Sequence, residues 1–450
     1  MKKCIVFTFI IVIFAVFSDF QKLNLYNKCY AEDVEEELGN VVLEELNKID
    51  FDALDEYFID AGVSSNIFNG MSVKEIAEAI VKGEISADIT SIFNYCLMLI
   101  KHNISQYFSL LLVILVIILL CFMFNKIKSG VEQKTVEEII HFVCFSVIIT
   151  LIVKLSSGII EDSANAIFSM QKQMNIVFPI LLTLMTSVGA VGSVAAFTPL
   201  VAFLSNLISN LFSYCLLPLF SLTFVLSIVN HLSTTVKFDK MLSFLNSLFK
   251  WIVGVVFSVF FIFFSIQGIA VSTSDGLSLK AAQFAVKNYV PLLGGYVSEG
   301  FQVVKAGMLL VRNSVGIVGI IVMLSSVLAP ILAIAVFSLS LKFIAAILEP
   351  LGDNSSVSIL SSVGSSFKLL LTCLLTVLFM YIVTVILIMC SVSGVVWVRS
   401  FIVLIVGCSL VNLFIDILIP NGKMSKFVKS IVAVVMFSIL FMSILSMLKM

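Results

Sequence analysis

Residues 104–124 read ISQYFSLLLVILVIILLCFMF and contain no charged side chain. An α-helix of about 21 residues is about 31 Å long, which matches the hydrocarbon core of a bilayer. Seven further apolar stretches predict seven more membrane-spanning helices, at residues 139–158, 199–229, 251–271, 313–341, 369–390, 401–419 and 430–448. The predicted fold class is therefore all-α, a polytopic membrane protein with about eight transmembrane helices.

The composition agrees with this class and excludes an ordinary soluble domain. Hydrophobic residues make up 60% of the chain, and the mean hydropathy is +1.15. No globular core could bury that much apolar surface. Residues 1–100 carry 17 acidic and 7 basic side chains, whereas residues 101–450 carry 11 acidic and 20 basic ones. The basic side chains stand singly between apolar runs and form no stripe, so we expect no nucleic acid partner.

Two segments of the chain share a pattern at an offset of 112 residues. Residues 143–147 (VCFSV) recur as residues 255–259 (VVFSV), and two of the seven prolines, Pro179 and Pro218, recur as Pro291 and Pro330. Repeats of this kind are common in membrane transport machinery. The sequence therefore predicts two similar membrane repeats; coincidence within a background rich in Val, Ile, Leu and Phe is the alternative.

The N-terminus is typical of a secretory signal. Two lysines precede an apolar run at residues 4–17, and Ala31 ends a small-x-small cleavage site. An uncleaved signal anchor is the alternative. Either form exports the next segment, so residues 32–100 are predicted to be a small, acidic, helical extracytoplasmic region. In it, Ser72 and Glu75 form a capping box ahead of an apolar helix face that ends before Gly83.

Residues 175–198 are apolar enough to cross a membrane, but their repeat partner, residues 287–310, carries charges. If the two share a fold, both are re-entrant or interfacial segments packed against protein. Leaving both out as spans places the lysine-rich loops on the cytoplasmic side, as the positive-inside rule favours. Those lysines are Lys126, Lys128, Lys134, Lys237, Lys240, Lys250, Lys342, Lys368, Lys423, Lys426 and Lys429.

The predicted organisation follows from these features. In chain order it is a signal peptide (1–31), the acidic extracytoplasmic region (32–100), a first span with a cytoplasmic loop (101–136), membrane repeat 1 (137–247), membrane repeat 2 (248–342), a loop and span (343–394) and a C-terminal two-helix membrane hairpin (395–450). Pro218 and Pro330 lie in apolar stretches longer than a bilayer needs, so kinked or broken helices are expected there.

The chemistry of an enzyme is not apparent in the sequence. The three histidines are far apart, and neither HExxH, GxSxG nor a glycine-rich phosphate loop occurs. We therefore predict no catalytic residue, no cofactor and no metal, and a protein that is not an enzyme.

Two segments could line a pathway or pack helices closely. The first is the small-residue run of residues 187–193, which favours close helix packing over a pore lining. The second is an amphipathic exported stretch that ends at Arg312 and is typical of a helix in the membrane surface or of a vestibule wall. The candidate residues are Ser187, Gly189, Gly192, Ser193, Gln267, Gly268, Asp275, Gly276, Lys280 and Pro291.

Residues 265–280 (SIQGIAVSTSDGLSLK), with Asn288-Tyr289-Val290-Pro291 and residues 345–352 (AAILEPLG), form a specific polar–apolar pattern. This pattern resembles the stage III sporulation protein AE family of endospore-forming bacteria, over roughly residues 1–390. Residues 395–450 instead resemble the opening membrane hairpin of stage III sporulation protein AF, without its soluble domain. Fusion or readthrough of adjacent reading frames would explain that tail.

The resemblance implies a non-enzymatic subunit of a secretion-like channel complex in the mother-cell membrane around the forespore. The implied partners are the lipid bilayer, other stage III sporulation membrane proteins, a separate ATPase and a forespore partner across the intermembrane space. No catalytic residues are implied. The alternative is a stand-alone secondary transporter built from the two repeats, which would need a polar site at mid-membrane.

Overall fold

All regular structure in the described residues is helical. The computed structural model describes residues 44–60 (apart from 45 and 48), 70–82, 89–127, 134–232, 238–260, 294–351 and 354–392. The predictions for the signal peptide, for residues 261–293 and for the C-terminal hairpin at 395–450 lie outside these residues.

Two short helices form the N-terminal part, α1 (Asp52–Asp60) and α2 (Val73–Lys82). The predicted capping box is confirmed: the Ser72 N–H donates to the Glu75 carboxylate at 2.8 Å, and the Glu75 N–H donates to Ser72 Oγ at 3.2 Å. The Val73 N–H also donates to the Asp55 carboxylate, which ties α2 to α1 at 2.6 Å. The apolar face of α2 is buried, and both helices pack against the later helix α8.

Two long helices follow, α3 (Ile89–Ile127) and α4 (Lys134–Ser187). With 54 residues, α4 is about 81 Å long at about 1.5 Å per residue. Pro179 lies inside it without ending it. Ser187 is its last residue, so residues 175–187 belong to the same continuous helix as the predicted span at 139–158.

A tight turn joins α4 to α5 (Val191–Leu207). Gly189 has φ +82°, the left-handed conformation that favours glycine. Its N–H donates to Thr186 O at 2.8 Å, and the Ala190 N–H donates to Met185 O at 3.0 Å. This is the Schellman pattern of helix termination. The small-residue run at 187–193 therefore makes a helix–turn–helix connection.

The chain returns along α4 through α5, a π-helical segment (Ile208–Leu216) and α6 (Leu217–Leu232). The Leu217 N–H donates five residues back, to Phe212 O, and the next residue is Pro218, which has no N–H to donate. The chain therefore stays helical through Pro218, and the irregularity near this proline is the π-helical segment that ends two residues before it.

Three further helices complete the described fold: α7 (Asp239–Phe260), α8 (Gly294–Leu348) and, after a 3₁₀ turn, α9 (Asn354–Val392). Pro330 lies inside α8 and does not break it, and the kink expected there as the alternative stays a prediction. Pro330 has no N–H to donate to the preceding turn of α8. Neighbouring helices pack against that turn and hold the backbone in place.

The antiparallel pair α8 and α9 forms the centre of the bundle and makes the most extensive helix contact in the described chain. Ser338 Oγ donates to Gly364 O at 2.6 Å, because Gly364 lets the two backbones approach closely. The rings of Phe337 and Phe367 meet edge to face, with centroids 5.0 Å apart. Arg312, expected on a surface helix, is instead buried and donates to Asn313 Oδ1 and to the Met389 carbonyl.

Four described helices are long and apolar enough to cross a membrane: Val191–Asn230, Asp239–Phe260, Val304–Leu348 and Ser356–Met389. They overlap the third to sixth predicted spans, although the fourth shares only residues 251–260 with the prediction of 251–271, whose remainder lies outside the described residues. The first two predicted spans lie in α3 and α4, and the last two lie outside the described residues. An all-α membrane protein is therefore confirmed, while the count of eight spans and the 112-residue repeat stay predictions.

Candidate functional site: the polar face of the α4–α5 hairpin

The second half of α4 (residues 159–187) packs one side against the α8–α9 pair. Gln173 Nε2 donates to Ser326 Oγ of α8 at 3.0 Å. Further along, the Phe178 ring lies 5.5 Å from the ring of Tyr381 on α9. Gly319 faces both helices so closely that a methyl group there would lie 2.9 Å from Val177 and 3.0 Å from the Tyr381 hydroxyl.

The opposite side of the same half is exposed and largely polar. Phe168 and Pro179 are also exposed on α4, but most of the exposed side chains of this half carry polar groups, whereas α5 exposes Val191, Ala195, Pro199 and Ala202 beside two polar side chains. We call this surface the polar hairpin face; its members are Asn165, Lys172, Asn175, Thr183, Thr186 and Ser187 on α4 and Thr198 and Asn206 on α5.

Hydrogen bonds hold the two helices of the hairpin together along this face. Ser205 Oγ of α5 donates to Asn175 Oδ1 at 2.6 Å, and Gln171 Nε2 donates to Ser205 O at 3.4 Å. Thr183 and Thr186 instead donate to carbonyls of their own helix, at 2.9 and 2.6 Å. The amide and ammonium groups of Asn165 and Lys172 remain on the surface, where they favour water over hydrocarbon.

The first half of α4 (residues 134–158) presents a different surface. Its exposed large hydrophobic side chains in the described part are Val143, Val147 and Val153, and Thr150, Lys154 and Ser157 are exposed toward its end. The neighbouring helix α3 continues this apolar surface, which comprises Leu112, Val113, Val116, Leu120 and Met123. The α3–α4 hairpin therefore has a surface suited to lipid.

Charges mark the boundary between the two halves. Glu161 and Asp162 lie one turn beyond the apolar half, and Lys154 is exposed just before it. Burial and the neighbouring Glu161 carboxylate raise the pKa of Asp162 above its usual range.

A second polar feature lies where α6 and α7 meet α9. Asn230 Nδ2 donates to Asp239 Oδ1 at 2.7 Å, and the Phe238 N–H donates to Asn230 Oδ1. These residues, with Ser358, Ser361, Ser362 and Ser365, line an open cleft of about 460 Å³. Beneath it, the hydroxyls of Ser227 and Ser362 are hydrogen-bonded at 2.7 Å.

Comparison with known proteins identifies the family. The sequence pattern of stage III sporulation protein AE matches residues 71–393, which is most of the chain. The chain belongs to the stage III sporulation protein AE family. Its similarity to the stage III sporulation protein AE of Bacillus subtilis (strain 168) is 26% identity over 278 residues, covering 62% of this chain and 69% of that protein. No solved structure matches the chain.

Membership of the stage III sporulation protein AE family confirms the resemblance and supports a role in sporulation. The match ends at residue 393, close to residue 390, where the resemblance in the sequence ends. Residues 395–450 therefore lie beyond the family segment, and their likeness to stage III sporulation protein AF stays a prediction.

The structure places four of the candidate residues at one end of the hairpin. Ser187 ends α4 and Gly189 lies in the turn, whereas Gly192 and Ser193 lie in the first turn of α5, with Ser193 fully buried. They therefore join and pack helices. The other candidates, Gln267, Gly268, Asp275, Gly276, Lys280 and Pro291, lie outside the described residues.

Sequence reasoning missed the polar hairpin face and the Asn230–Asp239 cleft. The signal for the first was present: Asn165, Lys172, Asn175 and Thr183 recur at intervals of three to eight residues, so they fall on one side of a helix. The cleft joins residues of α6, α7 and α9 that are far apart in sequence, and no local spacing predicts that contact.

Proposed function

We propose that this chain is a non-enzymatic integral membrane component of the channel complex that connects the mother cell to the engulfed forespore and is required for endospore development. The observation that carries the proposal is the family match over residues 71–393. The four long apolar helices support a place in the membrane. The polar hairpin face offers a surface for water or for a partner along the route between the cells.

The proposed location is the mother-cell membrane that surrounds the forespore, with the N-terminal region facing the intermembrane space. The proposed partners are other stage III sporulation membrane proteins, a separate ATPase and a forespore protein across that space. In this assignment the chain is a structural part of the channel, and another subunit hydrolyses nucleotide.

Deletion of the gene in its host tests the proposal. We expect normal vegetative growth and normal engulfment, followed by forespores that shrink or stall when scored by fluorescence microscopy. A second copy of the gene at another locus should restore spore formation. Normal spores in the deletion strain would contradict the proposal.

A stand-alone secondary transporter is the second candidate, and the Asn230–Asp239 cleft is the observation that favours it. A transporter needs an ionisable group in a cavity, and Asp239 lines this one. The transporter predicts that Asp239→Asn abolishes activity although the protein still assembles with its partners. The channel subunit predicts that this variant supports sporulation and that deletion of the whole chain does not.

A further inference from the structure

The helices α8 and α9 each contain a long segment without a charged side chain. In α8 this segment is residues 313–341, and in α9 it is residues 369–392. At about 1.5 Å per residue, each segment is longer than the hydrocarbon core of a bilayer, which is about 30 Å thick. Lys342 directly follows the first segment, and Lys368 directly precedes the second. Both lysines therefore stand where a membrane-crossing helix leaves the hydrocarbon core.

The antiparallel packing of α8 and α9 brings the two lysines to the same end of the helix pair. Gly319 of α8 faces Tyr381 of α9, whereas Ser338 Oγ of α8 donates to the Gly364 carbonyl of α9 at 2.6 Å. Residue numbers therefore rise along α8 as they fall along the facing side of α9. The ends of the two uncharged segments that carry the lysines thus meet.

The length of α8 between its charged side chains agrees with a pair that crosses a bilayer. At the other end of the pair, Arg312 donates to the Met389 carbonyl of α9. Lys342 comes 30 residues after Arg312, which corresponds to about 45 Å of helix. A bilayer with its headgroup regions is about 40–45 Å thick. In such a pair, the lysine end lies at the level of the lipid headgroups.

The two ammonium groups at this end are neighbours. The stem of Lys342 lies on Gly364, where a methyl group would be 3.4 Å from the Lys342 Cγ. Lys368 is one turn further along α9, and side chains lean toward the N-terminus of their helix. The two lysines therefore lean toward each other, and their ammonium groups lie side by side. Among the described residues, neither ammonium group is paired with a carboxylate. A bound anion would replace their mutual repulsion with attraction.

Serine hydroxyls extend this basic pair along α9. Ser361 and Ser365 are exposed and precede Lys368 by seven and three residues, so the three side chains lie on one side of the helix. Both serines line the open cleft of about 460 Å³, and Asp239 lies on its opposite wall, where it accepts from Asn230. Ammonium and hydroxyl groups both donate hydrogen bonds, which phosphate oxygens accept.

Apolar side chains are exposed beside the two lysines. Leu339, Phe343 and Ile347 recur every four residues along α8, on both sides of Lys342 in the sequence. A free phosphate ion would gain nothing from these side chains. A phospholipid carries an anionic phosphate and apolar chains in one molecule, so the combination of surfaces favours a lipid as the occupant.

We propose that Lys342, Ser361, Ser365 and Lys368 form a binding site for the phosphate group of an anionic phospholipid, whose apolar part contacts the exposed side chains of α8. The two lysines belong to the side that the positive-inside rule predicts to be cytoplasmic, where anionic lipids make the membrane surface negative. One phosphate between the lysines joins α8 to α9 at this end. The site goes beyond the proposed role in the channel complex and does not depend on it.

Native mass spectrometry of the purified full chain, titrated in detergent with phosphatidylglycerol, tests the site. We expect the double variant Lys342→Gln/Lys368→Gln to bind this lipid about thirtyfold more weakly, about fivefold for each lysine lost. Lys342→Arg/Lys368→Arg should bind nearly as well as the native chain. The matched control Lys154→Gln/Lys250→Gln removes two charges from exposed lysines on α4 and α7 and should also bind like the native chain.

The melting temperature in lipid-free detergent provides the folding control. The glutamine variant should melt no lower than the native chain, because the two ammonium groups no longer repel each other. Phosphatidylglycerol should raise the melting temperature of the native chain and leave that of the glutamine variant unchanged.

Three results would overturn the site. Equal affinity of phosphatidylglycerol for the native chain and the glutamine variant would show that the lysines do not bind it. Equally tight binding of phosphatidylcholine, which has no net charge, would contradict a site for an anionic lipid. If inorganic phosphate displaced the lipid or raised the melting temperature as much, the occupant would be the free ion. Normal sporulation of the deletion strain would contradict the proposed function and leave these affinities unchanged, so the two failures are distinguishable.

Discussion

The two halves of α4 are one continuous helix with two different surfaces. In the described part, the first half exposes Val143, Val147 and Val153, with polar residues such as Lys154 toward its end, whereas most of the exposed side chains of the second half are polar. Their buried sides are alike, because both are lined by apolar residues such as Ile148, Ile152, Val177 and Phe178. The two halves therefore differ in their exposed faces, which neither length nor mean hydropathy reveals.

The largest difference between the two halves of α4 should be the stability cost of a single introduced lysine. We expect Val147→Lys to cost about 2.5–3.5 kcal/mol, because the lysine would lie near the middle of the predicted membrane span at residues 139–158. Thr183→Lys, on the polar hairpin face, should change stability by about 0.5 kcal/mol or less. The measurement is the amount of each variant that is recovered, correctly inserted, in the membrane fraction. Equal losses for both variants would contradict the difference between the halves.

The same substitution at two glycines should have opposite effects on stability. Gly319→Ala places a methyl group 2.9 Å from Val177, so we expect a loss of about 1–3 kcal/mol. Gly158→Ala meets no atom within 4 Å and replaces a poor helix former, so we expect a gain of up to about 1 kcal/mol. The melting temperatures of the purified proteins in detergent check both values. A harmless Gly319→Ala would mean that the second half of α4 does not pack closely on α8.

The turn at the tip of the hairpin should be sensitive to the residue at position 189. Gly189→Ala puts a side chain into the left-handed conformation at φ +82°, which costs about 1–2 kcal/mol. Gly189→Asn should lose less, because asparagine adopts this conformation more readily. The two variants are compared by their melting temperatures and by their rates of limited proteolysis at the turn. Equal values for the two variants would argue against the Schellman turn.

The stability of the protein should depend slightly on pH through Asp162, which lies at the boundary between the two halves of α4. Its raised pKa means that the folded state binds the proton more tightly than the unfolded state does. The resulting stabilisation is complete below the unfolded pKa and is lost as the pH rises through the folded one. Asp162→Asn should therefore be slightly more stable than the native chain at neutral pH, and the difference should disappear in acid. The gain is small because Asp162 is exposed and water screens its charge. A lower melting temperature for the variant at neutral pH would contradict this.

Local sequence rules predicted the parts of the fold that depend on neighbouring residues. The capping box of Ser72 and Glu75, the apolar face of α2 and the disturbance before Pro218 all follow from spacing and backbone chemistry. The family could also be predicted from the sequence, because the pattern around residues 265–280 is specific. Contacts between segments that are distant in sequence could not be predicted in this way. Pro330 stays helical because α8 is enclosed, and residues 175–187 continue α4 because α8 and α9 cover their apolar side.

The distance between residues 147 and 183 decides whether the two halves of α4 form one extended helix. With spin labels at Val147→Cys and Thr183→Cys in the full chain reconstituted into liposomes, electron–electron double resonance measures their separation. One continuous α4 predicts about 54 Å, since the two positions are 36 residues apart. A re-entrant second half, folded back into the same bilayer as the first, predicts about 30 Å or less, the thickness of the hydrocarbon core. The longer distance would support one continuous α4, and the shorter one would contradict it.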